Sequence, residues 1–169
     1  MYTVGTPVLY SRMGVCQVES IGPPPFQEDS GRCYYKLRLL FSSSGERVYI
    51  PVDAAAALRP LIGHGEASGY LRMLPQLEPE PFSSKRPSEV AAHYQQALAV
   101  CQPKNCLLLL KEIYLKERAL CQRSKKLGQV DSKYRKVVER LVCEEFAVAL
   151  DTTPDSMKSR LYEAMQIAQ

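Results

Sequence analysis

Six cysteines, at positions 16, 33, 101, 106, 121 and 143, and two histidines, His64 and His93, are the residues that could ligate a metal, attack a substrate or shuttle a proton. Metal-binding cysteines usually arrive as close C-x-x-C pairs, and the chain has none. Cys101 and Cys106 lie five apart across Pro103, too loosely placed to suggest a metal site. In a secreted domain six cysteines could make three disulfides, but four fall in helical pattern, so buried thiols are the expectation. His64 sits between glycines and His93 in an amphipathic pattern, neither beside a nucleophile, which points to solvent or packing roles. Glu144 and Glu145 are adjacent on one helical segment and diverge, so they make no catalytic dyad. With no G-x-x-x-x-G-K-[ST] loop either, the chain reads as a non-enzyme without cofactor, metal or small-molecule substrate. A redox or metal sensor using the cysteines is the distant alternative.

Charge is the stronger signal. The net +4 hides a block between residues 104 and 140 with eleven Lys/Arg against four Asp/Glu. Residues 1–63 are nearly balanced, at six against five. After residue 140 the sign reverses, with Glu144, Glu145, Asp151, Asp155 and Glu163 against Lys158 and Arg160. A basic block of this kind is an electrostatic footprint for a polyanion. At 46% hydrophobic and 24% charged residues the composition is that of a soluble globular protein. No apolar run approaches the roughly 20 residues that span a bilayer. The N-terminus has no secretory layout, so a cytoplasmic protein with no membrane partner is expected.

The elements that must carry these residues change character along the chain. Residues 8–10, 15–21, 33–41 and 47–52 are short β patterns; in the third, Tyr35, Leu37, Leu39 and Phe41 alternate with Lys36 and Arg38, as in a half-buried antiparallel strand. The polar, Gly45-containing link 42–46 has hairpin length, so the last two runs should pair. Gly22-Pro23-Pro24-Pro25 opens an exposed loop reaching Gly31. Four or five strands in some sixty residues predict a small SH3-like or Tudor-like β-barrel. Pro51 cannot donate to a ladder, which puts the end of the last strand at an edge or a bulge. Such an edge is open to a partner strand.

The order Val4-Gly5-x-x-Val8-x-Tyr10, Gly14-Val15-x-x-Val18-x-x-Ile21, Tyr34-Tyr35-x-Leu37 and Val48-Tyr49-Ile50-Pro51-Val52-Asp53 resembles the RNA polymerase-interacting domain of CarD-like bacterial transcription regulators. The transcription-repair coupling factor contains a similar domain. The resemblance implies a Tudor-like barrel whose edge strand docks on the β subunit of RNA polymerase. By position the contact residues are Arg47, Val48, Tyr49, Ile50 and Pro51. Val48, Ile50 and Val52 also suit the barrel core, and Arg47 and Tyr49 alternate to the other face as the better contacts.

Beyond residue 62 the pattern is helical. Residues 54–58 suit a short turn stopped by Pro60, and a short helix is predicted over 66–74, followed by the connector of Pro75, Pro79, Pro81 and Pro87. Ser88 fits an N-cap for a helix running to Val100. The next helix is predicted over 104–126, ending near Gly128. Asp131 or Ser132 can cap a helix in which Tyr134, Val138, Val142, Phe146 and Leu150 form an i,i+4 ladder flanked by Val137 and Leu141. Thr153-Pro154-Asp155 starts the last helix, with Leu161, Tyr162, Met165 and Ile167 available to pack. The fold class is therefore α+β with two domains: a barrel over 1–62, a connector with a short helix over 63–86, and an all-α bundle over 87–169.

Lys104, Lys111, Arg118 and Lys125 recur every seven residues, a stripe that a helix would set opposite Leu109, Leu110, Ile113 and Leu120; Lys133, Lys136 and Arg140 make a second stripe. The bland reading of both is a solvated face. Lys116-Glu117-Arg118-Ala119-Leu120, Lys125-Lys126-Leu127 and the run from Val137 to Leu150 resemble the C-terminal helical domain of the same family. That resemblance implies binding of promoter DNA at the upstream edge of the melting region, through Val90, Lys111, Arg118, Lys125, Lys126, Lys133 and Lys136. Typical members wedge a tryptophan into the minor groove near the start of the helix at Ser88. This chain has no tryptophan; aligned on Tyr94 the position is Val90, and the basic pair that follows becomes Ala92-His93. Aliphatic wedges do occur in architectural proteins. The expected function is a cytoplasmic, nucleoid-associated transcription regulator that binds polymerase and promoter DNA and modulates open-complex stability. The alternative is a polymerase-binding interaction module without the DNA wedge.

Overall fold

The computed structural model of the chain describes residues 1–10, 13–26, 31–99 and 101–166. Residues 27–30 of the predicted loop, Val100 and Ile167 lie outside the described residues. The chain divides into two compact units, Met1–Leu61 and Ile62–Gln169. The first is an antiparallel sheet and the second is helical, so the class is α+β.

Five strands make the sheet: β1 (Pro7–Tyr10), β2 (Gly14–Gly22), β3 (Tyr34–Leu39), β4 (Arg47–Pro51) and β5 (Leu58–Pro60). Their order is β4-β3-β2-β1-β5. The expected barrel is corrected here, because β4 and β5 are the two ends of an open sheet. β5 has three residues ending in Pro60, and its partner is β1. It escapes the sequence pattern because residues 54–58 read as a turn; Val52–Ala57 is a 3-10 helix, and its exit at Leu58 turns extended.

Alternation places the core as the pattern requires. Val8, Cys16, Val18, Tyr35, Leu37, Ile50 and Leu58 are buried together, with Tyr2, Tyr10, Leu39, Val48 and Val52 packed around them. The N-terminal segment is fastened to this core, since Tyr2 N–H donates to the Tyr35 hydroxyl (3.0 Å) and the Tyr2 hydroxyl to the Leu58 carbonyl (3.2 Å). The β3–β4 link turns at Gly45, whose φ of 62° is left-handed and suits glycine.

The helical unit comprises α1 (His64–Met73), α2 (Pro87–Ala99), α3 (Pro103–Gln122), α4 (Gln129–Ala149) and α5 (Pro154–Gln166), with a 3-10 turn at Leu74–Gln76. Leu107, Leu110, Ile113, Val138, Leu141, Val142, Phe146, Met157, Leu161 and Met165 form its interior. The α4 ladder is buried at Val138, Val142 and Phe146, while its ends, Tyr134 and Leu150, are half-buried.

Helix boundaries differ from expectation at three places. Pro87, not Ser88, opens α2; the Arg86 carbonyl takes the first amides, and Ser84 Oγ accepts Arg86 N–H at 3.0 Å. α3 ends at Gln122 because Ser124 takes a left-handed φ of 55° and Lys125 N–H closes on the Leu120 carbonyl (2.8 Å). Gly128 then serves as N-cap of α4 instead of terminating α3, and Asp131 lies inside its first turn. Among the described residues no helix is long and apolar enough to cross a membrane.

Candidate functional site

In the first unit β4 pairs with β3 alone, with Tyr35 opposite Ile50 and Leu37 opposite Val48. Val52 N–H bonds Cys33 and Leu39 N–H bonds Glu46. Antiparallel bonding alternates, so the main chain of Arg47, Tyr49 and Pro51 turns away from β3. Ile50 is buried, Val48 half-buried against the core, and Arg47 exposed, with Tyr49 half-buried.

Two side-chain clusters flank this edge, and neither was visible in the sequence. Phe26, 64% exposed, sets its ring edge-on to Tyr49 (5.5 Å) and to Tyr34 (6.2 Å). Its place after three prolines gives no sign of such partners further along the chain. The second cluster centres on Glu19, where the β2–β3 register shifts between Val18 and Ser20. A bulge re-aims a side chain, and Glu19 accepts from Arg47 Nε (2.9 Å) and Nη2 (3.2 Å) while pairing with Lys36 (3.0 Å). The hydrogen bonds from Arg47, then Lys36, hold the Glu19 carboxyl down at about 2. The same contact raises the Arg47 guanidinium, which stays charged.

The helical unit separates the predicted DNA residues into two groups. Arg118 is half-buried on α3, Lys125 and Lys126 are exposed in the α3–α4 turn, and Lys133 and Lys136 are exposed on α4, in line with Arg140. Among the described residues none of these six has an ion-pair partner, although Lys133 lies 5.8 Å from the Tyr134 ring. The continuous α3 stripe is a correction, because Lys125 falls outside the helix.

Lys111 and Val90 are both buried. Lys111 is 4% exposed, and its ammonium donates to the Leu74 and Pro75 carbonyls at 2.8 Å each. The 3-10 turn packs over the face that periodicity assigned to solvent, and burial pushes the Lys111 pKa down. Val90 is 6% exposed and does not protrude as a wedge. Beside it, Asp131 is 6% exposed, accepting from the Tyr94 hydroxyl (2.5 Å) and Lys116 Nζ (2.8 Å). Burial, then the bond to Asp131, raises the Tyr94 hydroxyl far above its ordinary value, so it is a fixed donor. Two more cations of the block are thus spent internally: Lys116 on Asp131 and Arg135 on Glu117.

Among the described residues no group of three His, Cys, Asp or Glu side chains could hold a metal. His93 stacks on Phe82 with ring centres 4.0 Å apart and bonds Glu112 at 3.0 Å, a packing role. No curated protein matches the chain. Residues 2–62 match the family model described as the CarD-like/TRCF RID domain, and the first unit, with its open sheet and edge strand, is a CarD-like RNA polymerase-interacting domain.

Proposed function

We propose that the protein is a transcription regulator that binds the β subunit of RNA polymerase through β4 and promoter DNA through the exposed cations of its helical unit. The observation that carries the first half is the position of β4 at the end of the sheet, its Arg47, Tyr49 and Pro51 main chain facing outward. A polymerase strand could extend the sheet there by main-chain bonds. Arg47, pre-oriented by Glu19, and the Tyr49–Phe26 pair supply side-chain contacts on either flank.

DNA binding rests on Arg118, Lys125, Lys126, Lys133 and Lys136, which contact phosphates without reading sequence. Tethering to polymerase gives an effective DNA concentration of about millimolar, so weak contacts suffice. Binding both partners favours whichever initiation complex allows both contacts. Purified polymerase should retain the protein in a pull-down, and joint Arg47→Glu and Tyr49→Glu substitution should abolish retention. Full retention by that variant would sink the assignment to β4.

The burial of Val90 favours phosphate contact without a wedged base step. Footprinting the promoter complex tests this, because a wedge changes the reactivity of the melted bases and phosphate contact alone does not.

A further inference from the structure

Cys101 lies between α2 and α3 and Cys106 in the first turn of α3, and the fold brings their sulfurs to 3.9 Å, closer than their spacing suggested. Both are reduced thiols and both are 3% exposed. We propose that this pair is an oxidisable dithiol that closes to an intramolecular disulfide with hydrogen peroxide as oxidant. A disulfide needs sulfurs about 2.05 Å apart, so the two sulfurs, now at 3.9 Å, must close by roughly 2 Å.

Two further observations bear on the pair. Cys101 is a non-glycine residue with a φ of 47°, a conformation that persists only where the surroundings over-determine it. Its N–H is held by the Leu98 carbonyl (3.1 Å), and Cys106 N–H by the Gln102 carbonyl (3.0 Å), so the main chain that carries each sulfur is hydrogen-bonded in place. Oxidation to a disulfide is a reaction open to two neighbouring thiols.

The chemistry balances in two steps. The thiolate of one cysteine attacks the peroxide O–O bond, giving a sulfenic acid and releasing one water once a proton is taken up. The sulfur of the second cysteine then attacks the sulfenyl sulfur; the S–S bond forms, the S–O bond breaks and a second water leaves. Two thiols are oxidised and the peroxide is reduced. The cross-link would fix the α2–α3 junction, and a dithiol reductant would release it.

Cys33 and Cys121 are exposed and would consume oxidant first, so the test uses the full chain with both replaced by serine. The protein is treated with hydrogen peroxide, denatured, alkylated with N-ethylmaleimide and digested with trypsin without reduction. Trypsin cuts after Lys104, between the two cysteines, so the disulfide joins two peptides that reductant separates. The expected result is this linked pair, with neither Cys101 nor Cys106 alkylated and Cys16 and Cys143 alkylated in full. Adding Cys106→Ser should replace it with a sulfenic acid trapped on Cys101, or with unreacted thiol. The proposal is overturned if Cys101 and Cys106 remain fully alkylable at peroxide levels that oxidise Cys33 and Cys121 of the unmodified chain. Peroxide products confined to one of the two sulfurs, without a linked peptide, overturn it equally.

Discussion

Arg47 grips Glu19 through two hydrogen bonds, Nε to Oε2 at 2.9 Å and Nη2 to Oε1 at 3.2 Å, joining the edge strand of the sheet to the bulge of β2 two strands away. A forked guanidinium–carboxylate pair fixes direction as well as distance. The Arg47 guanidinium of this edge strand is thereby held in place.

Acid should release this grip. The folded Glu19 carboxyl is depressed to about 2, below the value of about 4.3 expected in an unfolded chain. Its contribution is therefore fully present above pH about 4.3 and is lost as the pH falls toward 2. Glu19→Gln should be slightly less stable than the parent at pH 7, with the difference shrinking through that window and vanishing near pH 2. Because the pair is solvent-exposed, added salt should narrow the gap at pH 7 too. Near-ultraviolet circular dichroism against urea at several pH values measures both effects, and a gap that widens on acidification contradicts the assignment.

Asp131 offers a sharper perturbation because both of its partners depend on it. Removing the carboxylate in Asp131→Ala leaves the Tyr94 hydroxyl and the Lys116 ammonium without their acceptor. A destabilisation of about 2–4 kcal/mol is expected from stranding buried donors. Tyr94→Phe removes one donor and leaves the Lys116 pair in place, so it should cost only about 1 kcal/mol. Urea unfolding followed by far-ultraviolet circular dichroism ranks the two variants.

The start of α5 is a third test. Thr153 Oγ1 accepts the Ser156 N–H at 3.2 Å, one of the amides a helix start leaves unpaired. Thr153→Ala should cost about 1 kcal/mol, and Thr153→Asp should recover most of it by supplying an acceptor that also favours the positive end of the helix. Equal stability of all three chains would deny Thr153 a capping role.

That cap was legible because it is local: Thr-Pro-Asp specifies its own geometry within one turn. The β4 edge was legible for the same reason, since Pro51 and the alternation of Val48 and Ile50 with Arg47 and Tyr49 constrain one strand and its neighbour. What stayed hidden depended on distant segments. Lys111 has the spacing of a surface stripe, but the Leu74–Gln76 turn, some thirty-six residues earlier, covers it. Val90 could be aligned with a wedge position, yet its burial is set by packing that no local pattern encodes. Lys125 leaves its stripe because Ser124 adopts the conformation usually reserved for glycine, whereas glycine itself comes only at Gly128, four residues later. Glu19 and Phe26 were invisible because a bulge and a loop, not periodicity, bring them to the edge.

The two lysine classes can be separated experimentally. Lys111 spends its ammonium on two carbonyls inside the helical unit, whereas Lys125 and Lys126 are exposed in the turn between α3 and α4. Lys111→Met should lower stability by about 1–3 kcal/mol, because the Pro75 carbonyl would lose the Lys111 ammonium and the Leu74 carbonyl would keep only the Leu77 N–H. It should leave the salt dependence of DNA binding unchanged. Lys125→Glu with Lys126→Glu should do the reverse, changing stability by less than about 0.5 kcal/mol while weakening DNA binding. For every phosphate that the variant no longer neutralises, the slope of log K against log salt should shrink by about 0.9. Fluorescence anisotropy on a promoter duplex across a salt series, paired with urea melts of the same variants, reads both quantities. A salt slope that falls for Lys111→Met but not for the Lys125 and Lys126 pair would place the phosphate-binding surface elsewhere.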